Sequence, residues 1–314
     1  MIDIWYMIQY LRMKTKKNNT RGWGVKDDHG SEIWDSRPVF TKPVTLKDRF
    51  LLIFYPKRFL LFRYIQKYIQ SHNKKEPIKI LDVGCATGSS LIDMAYFFGD
   101  AVEIYGIDVV HIQVEMAREN MRKYGMTIPV EWYNGVYFPY KANTFDIIYC
   151  SDVLGHVEDV PRWLKDVYRI VKPGGIFAVF SESALGKHAY IRNYLFKRGV
   201  NTDPHAEFHI SLYSKKELVR LFQKTGFRIK KMYTTVWAKF FVHPDELYPV
   251  LSKQKRFFML RNCNKWLYNL KKKLHPYSTA LAELYSLIEM VTIGRFVESQ
   301  GYIMLAQKPK KKNR

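Results

Sequence analysis

The residues best suited to chemistry stand at the ends of short apolar runs. In Ile80-Leu81-Asp82-Val83-Gly84-Cys85-Ala86-Thr87-Gly88, an apolar run ends in an acid and enters a bend bounded by two glycines. Glycine at 84 and 88 lets the backbone pass close to a ligand with no Cβ in the way. The Asp82 carboxylate suits a ligand bearing a cationic ammonium group. A second acid, Asp108, closes Ile104-Tyr105-Gly106-Ile107-Asp108, and a carboxylate there can accept both hydroxyls of a ribose. The GxGxxG spacing of a dinucleotide loop is missing, and so is a Walker lysine. Two acids around a side-chain-free bend therefore point to a cationic nucleoside rather than to a pyrophosphate.

Histidines supply the candidates for moving a proton. His156 lies in Leu154-Gly155-His156-Val157, and His205 and His209 lie in Asp203-Pro204-His205-Ala206-Glu207-Phe208-His209-Ile210. An imidazole can accept a proton near neutral pH. It can equally cap a helix or fix a loop, and both readings stand for His156 and His209. His188 has less to support it.

These residues need elements to hold them. Apolar runs at Ile78–Val83, Val102–Ile107, Val130–Tyr133, Phe145–Cys150, Ile176–Ser181, Phe227–Val236 and Tyr302–Gln307 read as strands. Helical spacing falls between them. Leu91, Met94, Ala95 and Phe98 mark one helix, opened by a Ser90/Asp93 capping box and closed by Gly99. Val114, Ala117, Met121 and Tyr124 mark the next. A third runs over Asp159–Val171 with Pro161 in its first turn, and Lys172-Pro173-Gly174-Gly175 breaks it. A long loop, Glu182–Leu212, precedes a helix that begins with a Ser214/Glu217 capping box and ends at Gly226. Alternating strands and helices predict an α/β fold with a doubly wound, mostly parallel, Rossmann-like sheet of seven strands.

The quoted motifs resemble those of the class I S-adenosylmethionine (SAM)-dependent methyltransferases, with a pattern similar to the type 11 group. Residues 80–88 resemble the family's first motif and residues 104–108 its second. Residues 145–157 and 164–175 resemble the signatures around its fourth strand and before its fifth. The likeness runs from Ile78 to Gly175 and continues weakly to Gln307. It implies SAM as cofactor, with Asp82 toward the amino group and the turn from Gly84 through Cys85 to Gly88 beneath the amino-acid and ribose parts. Asp108 would take the ribose hydroxyls, Val109 would flank the adenine, and Ser151 or Asp152 would border the methionine end. Relatives often carry an acid after strand three, where this chain has Tyr133-Asn134-Gly135, so the amide of Asn134 takes that place. They often carry Glu-His after strand four, and some of them hold a metal. Gly155 replaces the glutamate here, so no metal is expected. His209 to Ser214 fits approximately an H-x-x-x-[YF]-[ST] stretch of similar enzymes.

Residues 49–308 form the expected catalytic domain, between a basic arm over 1–48 and a basic tail over 309–314. Within the domain, 238–298 is a helical insertion between the last two strands that could close over the substrate mouth as a lid. Leu260, Cys263, Leu267, Leu270 and Leu274 form a stripe on a basic helix, and Leu281, Leu284, Ile288 and Val291 form a second. Packing on the core is the simplest reading of both, and contact with an anionic membrane is the alternative. The greasy segment 50–65 reads as a helix covering the sheet or the site. Lys and Arg number 51 against 29 Asp and Glu, a formal charge of +22 that attracts phosphates, nucleic acid or anionic lipid. Three scattered cysteines exclude a disulfide framework or zinc knuckle and fit a reducing cytoplasm. No apolar run reaches the ~20 residues of a spanning helix. The expected acceptor is a small molecule, the hydroxyl of a sugar, a lipid-linked compound or another biosynthetic intermediate. RNA and a non-catalytic binding subunit are the competing readings. No N/D-P-P-Y/F-type motif stands after strand four to favour an amino-methylating enzyme.

Overall fold

The computed structural model describes residues 37–310, except 46, 73–75 and 204. Most of the basic arm, with Trp23 and Trp34, and the end of the tail lie outside the described residues. Seven strands form one sheet in the order β3-β2-β1-β4-β5-β7-β6. They are β1 (Ile78–Val83), β2 (Val102–Asp108), β3 (Val130–Trp132), β4 (Phe145–Ser151), β5 (Val171–Ser181), β6 (Arg228–Thr234) and β7 (Tyr302–Gln307). The first five are parallel, and β7 runs antiparallel to both neighbours. The strand order reverses between β1 and β4, so the carboxyl ends of β1, β2 and β4 open a crevice there.

Strand residues alternate between the two faces, each of which carries its own core. Ile80 and Ile147 join the cluster under helices α1 (Pro56–Ser71), α2 (Ser89–Phe98) and α3 (His111–Lys123). Their neighbours Leu81 and Ile148 join the cluster under α4 (Val160–Ile170) and α6 (Lys215–Thr225). On α4 the residues Val160, Trp163, Leu164, Val167 and Ile170 are all buried. Each such side chain contributes about 1.5–3 kcal/mol on burial, against the few tenths of an exposed helical ion pair. Packing thus decides where this helix lies. Its start matches the sequence, with Asp159 accepting from the Arg162 N–H at 3.0 Å. The Ser214/Glu217 capping box is also present, and Gly226 ends α6 in the left-handed region.

Four details differ from expectation. The cap of α2 is Gly88, and neither Ser90 nor Asp93 caps it. Ser90 instead donates to Asp82, while Asp93 accepts from the backbone of Val39 and Phe40 and from Arg58. Lys172–Gly175 ends α4 but belongs to β5, as a bulged entry opposite β4. The segment Glu182–Leu212 contains a helix, α5 (Tyr190–Phe196). The insertion folds as α7 (Lys239–Val242), α8 (Pro244–Leu251), α9 (Phe258–Lys273) and α10 (Tyr277–Val291). Of its two stripes only Leu260, Leu267 and Val291 pack against core clusters. Cys263, Leu270, Leu274, Leu281, Leu284 and Ile288 are exposed, while α10 buries Ser286, Leu287, Glu289 and Met290. No helix of the described residues is long and apolar enough to cross a membrane.

Candidate active site

The turn after β1 is held against β2 before any ligand enters. Gly84 and Cys85 donate their N–H groups to the Ile107 carbonyl at 2.8 and 3.2 Å. The Asp108 carboxylate accepts from Ala86 N at 2.8 Å and from Val110 N at 3.0 Å. Gly84 has φ +74°, and a Cβ on it would stand 2.3 Å from Val153 Cγ2, so a side chain is excluded twice over. Gly88 has φ +88° and faces Met121 and Ala117 of α3. It lets α2 and α3 approach and does not line the crevice.

Beyond the turn lies a cavity of about 1050 Å³. Asp82, Gly84, Cys85, Asp108, Ser151 and Asp152 line it at the carboxyl ends of β1, β2 and β4, and His156, Glu182 and His209 line it where the chain leaves β4 and β5. Tyr55 to Arg58, at the start of α1, cover it from one side, and Thr279, Glu283 and Met290 of α10 wall it from another. The greasy segment and the insertion thus both reach the cavity. Val109 and Asn134 do not line it. Val110 takes the position expected of Val109, because the backbone of Val109 is turned to Trp132, whose indole N–H donates to its carbonyl at 2.8 Å. Asn134 spends its side-chain oxygen on its own turn, accepting from Val136 N and Tyr137 N at 3.0 and 3.1 Å.

Burial pushes the Asp82 carboxyl up to about 7, against the pull of Ser90 and Arg58. Burial also raises Asp108, against its backbone donors. Two buried carboxyls on one cavity make an environment that a cationic ligand would relieve.

Beyond β4 and β5 three elements converge. Glu182, the residue after β5, is 7% exposed and accepts from Gly155 N at 3.1 Å. Burial and the neighbouring Asp152 push it up to about 7. His209 donates from Nδ1 to Asp203 at 2.6 Å. Its burial disfavours the charged ring, but Asp203 outweighs that and the His209 pKa stands above its ordinary value. The His156 and His209 rings meet edge to face with centroids 4.9 Å apart. Lys57 of α1 pairs with Asp152 at 2.8 Å, at the rim. His188 accepts from Glu298 N at 2.9 Å and serves as a loop anchor. The sequence had shown the histidines, but not Glu182, Asp203, Lys57 or Arg58. Glu182 carried a signal all the same, its place at the carboxyl end of a strand. The absence of a glutamate at 155 does not leave the corner without a carboxylate, since β5 provides one.

A methyltransferase-domain family model matches residues 57–231, more than half of the chain. This chain belongs to the class I SAM-dependent methyltransferases. The methyltransferase fold is shared with a protein from Galdieria sulphuraria assigned as a sarcosine dimethylglycine methyltransferase. That likeness has a TM-score of 0.51 at 15% identity, covering 87% of this chain and 94% of the other. A sterol 24-C-methyltransferase from Gibberella zeae is 30% identical over 108 residues, 34% of this chain and 28% of that protein. A demethylmenaquinone methyltransferase from Anoxybacillus flavithermus is 30% identical over 138 residues, 44% of this chain and 57% of that protein. The matches thus span between about a quarter and a little over half of these curated relatives. SAM is the methyltransferase cofactor, and the donor set fits it: buried acids for an ammonium and a ribose, beside a bend that opens on a glycine with no room for a Cβ.

Proposed function

We propose that this methyltransferase acts on a hydroxyl of an amphiphilic small molecule, lipid or lipid-linked, presented at a membrane surface. The observation that carries the reading is the single cavity, lined both by two buried acids and by the His156–Glu182–His209 corner. SAM supplies an electrophilic methyl carbon when bound. Asp82 would hold its amino group, Asp108 its ribose hydroxyls, and the turn Gly84–Cys85 would lie beneath it. Val110 would border the adenine and Ser151 the methionine end. The corner would orient the acceptor oxygen and take up its proton, a step worth 10²–10⁴-fold in such reactions. The α1 start and α10 would keep water from the reacting atoms.

The acceptor class is inferred from α10. One face of this helix lines the cavity, while Leu281, Leu284 and Ile288 on the other lie exposed among the described residues. The segment Asp48–Phe54 packs beside it and adds exposed Phe50 and Leu51. Lys271, Lys272 and Lys273 end the preceding helix. Apolar side chains bordered by lysines suit an anionic bilayer, and the relatives named for sterols and demethylmenaquinone act on apolar molecules.

The test is release of S-adenosylhomocysteine from purified protein and SAM, with prenol-linked sugars and sterols in anionic vesicles, soluble sugars, or RNA. Vesicle-borne hydroxyl acceptors should stimulate release at least tenfold. Stimulation by RNA alone would assign the positive charge to nucleic acid and overturn the proposal.

A further inference from the structure

We propose that His156, Glu182 and His209 form a binding site for one divalent transition-metal cation at the acceptor end of the cavity. A ligating atom from each of the three lies within 4.8 Å of the others. Three ligands on one ion at about 2.1 Å stand roughly 3.4–3.6 Å apart, so a cation would draw the cluster together by about an ångström or less. His156 is 5% exposed and Glu182 is 7% exposed, and the His209 side chain is 9% exposed. Buried carboxylate and imidazole groups gathered this closely are the usual makings of a metal site.

The surroundings have the form of an outer shell. A metal-binding histidine typically donates its other ring N–H to a carboxylate, which fixes the tautomer and the ring orientation. His209 does this, Nδ1–H to Asp203 at 2.6 Å, leaving Nε2 for a cation. Asp203 is itself held, accepting from His205 N at 3.0 Å. The Glu182 carboxylate is oriented by the Gly155 N–H at 3.1 Å. The loop bearing His209 is tied to the same residue, with Ile210 N and Ser211 N donating to the Gly155 carbonyl at 2.9 and 3.0 Å.

Gly155 is what lets the ligands meet. A Cβ on it would stand 3.1 Å from Glu182 Cβ, 3.2 Å from Glu182 Oε2 and 3.2 Å from His209 Cδ2. Without that carbon, the segment after β4, the end of β5 and the loop before α6 can close on one point. Two imidazoles and one carboxylate select zinc, iron, manganese, cobalt or nickel over magnesium, which prefers oxygen alone. Three protein ligands leave a position open toward the cavity. The inference deepens the proposed function: the acceptor oxygen would take that position and the cation would ease the loss of its proton. That proton would pass to water as the acceptor enters, since the ligand lone pairs are then occupied. Cation binding itself does not depend on that reading.

The test uses the full chain, freed of metal with a chelator and titrated with Co²⁺ and with Mg²⁺. Co²⁺ should bind at one equivalent with a visible d–d absorption band, and Mg²⁺ should not displace it. Glu182→Gln and His209→Ala should each weaken Co²⁺ at least tenfold. Asp203→Asn, which leaves all three ligands in place, should weaken it about 10–100-fold. SAM affinity, measured in parallel, should stay within twofold in every variant, which separates a failed cation site from a failed methyltransferase reading. No Co²⁺ uptake by the folded wild type, or uptake by Glu182→Gln and Asp203→Asn as tight as the wild type's, would overturn the site.

Discussion

At the scale of single residues, the cavity depends on the charge state of a few buried acids. Asp82 is pushed up to about 7 by burial, so near pH 6 it is mostly neutral and offers an ammonium group little. Its charged form is what a SAM amino group needs, so affinity should be greatest above pH 7 and fall as the pH drops below it. Calorimetry at pH 6 and 7.5 should show SAM binding about five- to tenfold weaker at the lower pH, from the population of the charged form. Asp82→Asn should bind weakly with no such difference, and an unchanged pH response in that variant would remove Asp82 as the source. The acids and the glycine at 84 that line the cavity were readable because strand ends are visible in a sequence. Asn134 and Val109 lie off the cavity, the first held by its own turn and the second by the Trp132 indole, and neither set of hydrogen bonds leaves a mark in residue spacing. Ser90 and Asp93 were misread for a related reason. A capping box is a local pattern, while Ser90 reaches back across the turn to Asp82 and Asp93 binds Phe40 far along the chain.

At the scale of elements, Asp93 joins α2 to the rest of the domain. Its carboxylate accepts from Val39 N at 3.1 Å, from Phe40 N at 2.8 Å and from Arg58 of α1. The Arg58 side chain is only 20% exposed. Asp93→Ala would leave that guanidinium without its acid partner, and such losses cost about 3–5 kcal/mol. Chemical denaturation should show a destabilisation of that size, with α1 loosened over the cavity. A change below about 1 kcal/mol would mean that the pair is replaceable by water. Each strand and most helices were legible because their apolar periods are long and bounded by glycine, proline or a cap. The short helix α5 was hidden in a polar segment. The stripes of α9 and α10 announced amphipathic helices correctly, but periodicity cannot say which side meets the core. Leu281 and Ile288 are exposed while Ser286 is buried on the cavity and Glu289 is buried accepting from the backbone of Trp237 and Ala238.

At the scale of the whole molecule, the sheet reversal, the start of α1 and the late helical insertion together enclose one space. The fold and the family follow from motifs in order along the chain. The acceptor does not, since it depends on how the insertion closes and what its outer face meets. The central claim is that Asp82 and Asp108 make one nucleoside cradle. Calorimetric titration of SAM into the full chain and into Asp108→Ala tests it most directly. Wild type should bind one equivalent, and the variant, which loses two backbone contacts at 2.8 and 3.0 Å as well as the acceptor for the ribose hydroxyls, should bind at least tenfold more weakly. Equal affinity in the two proteins, or no binding by a folded wild type, would contradict it.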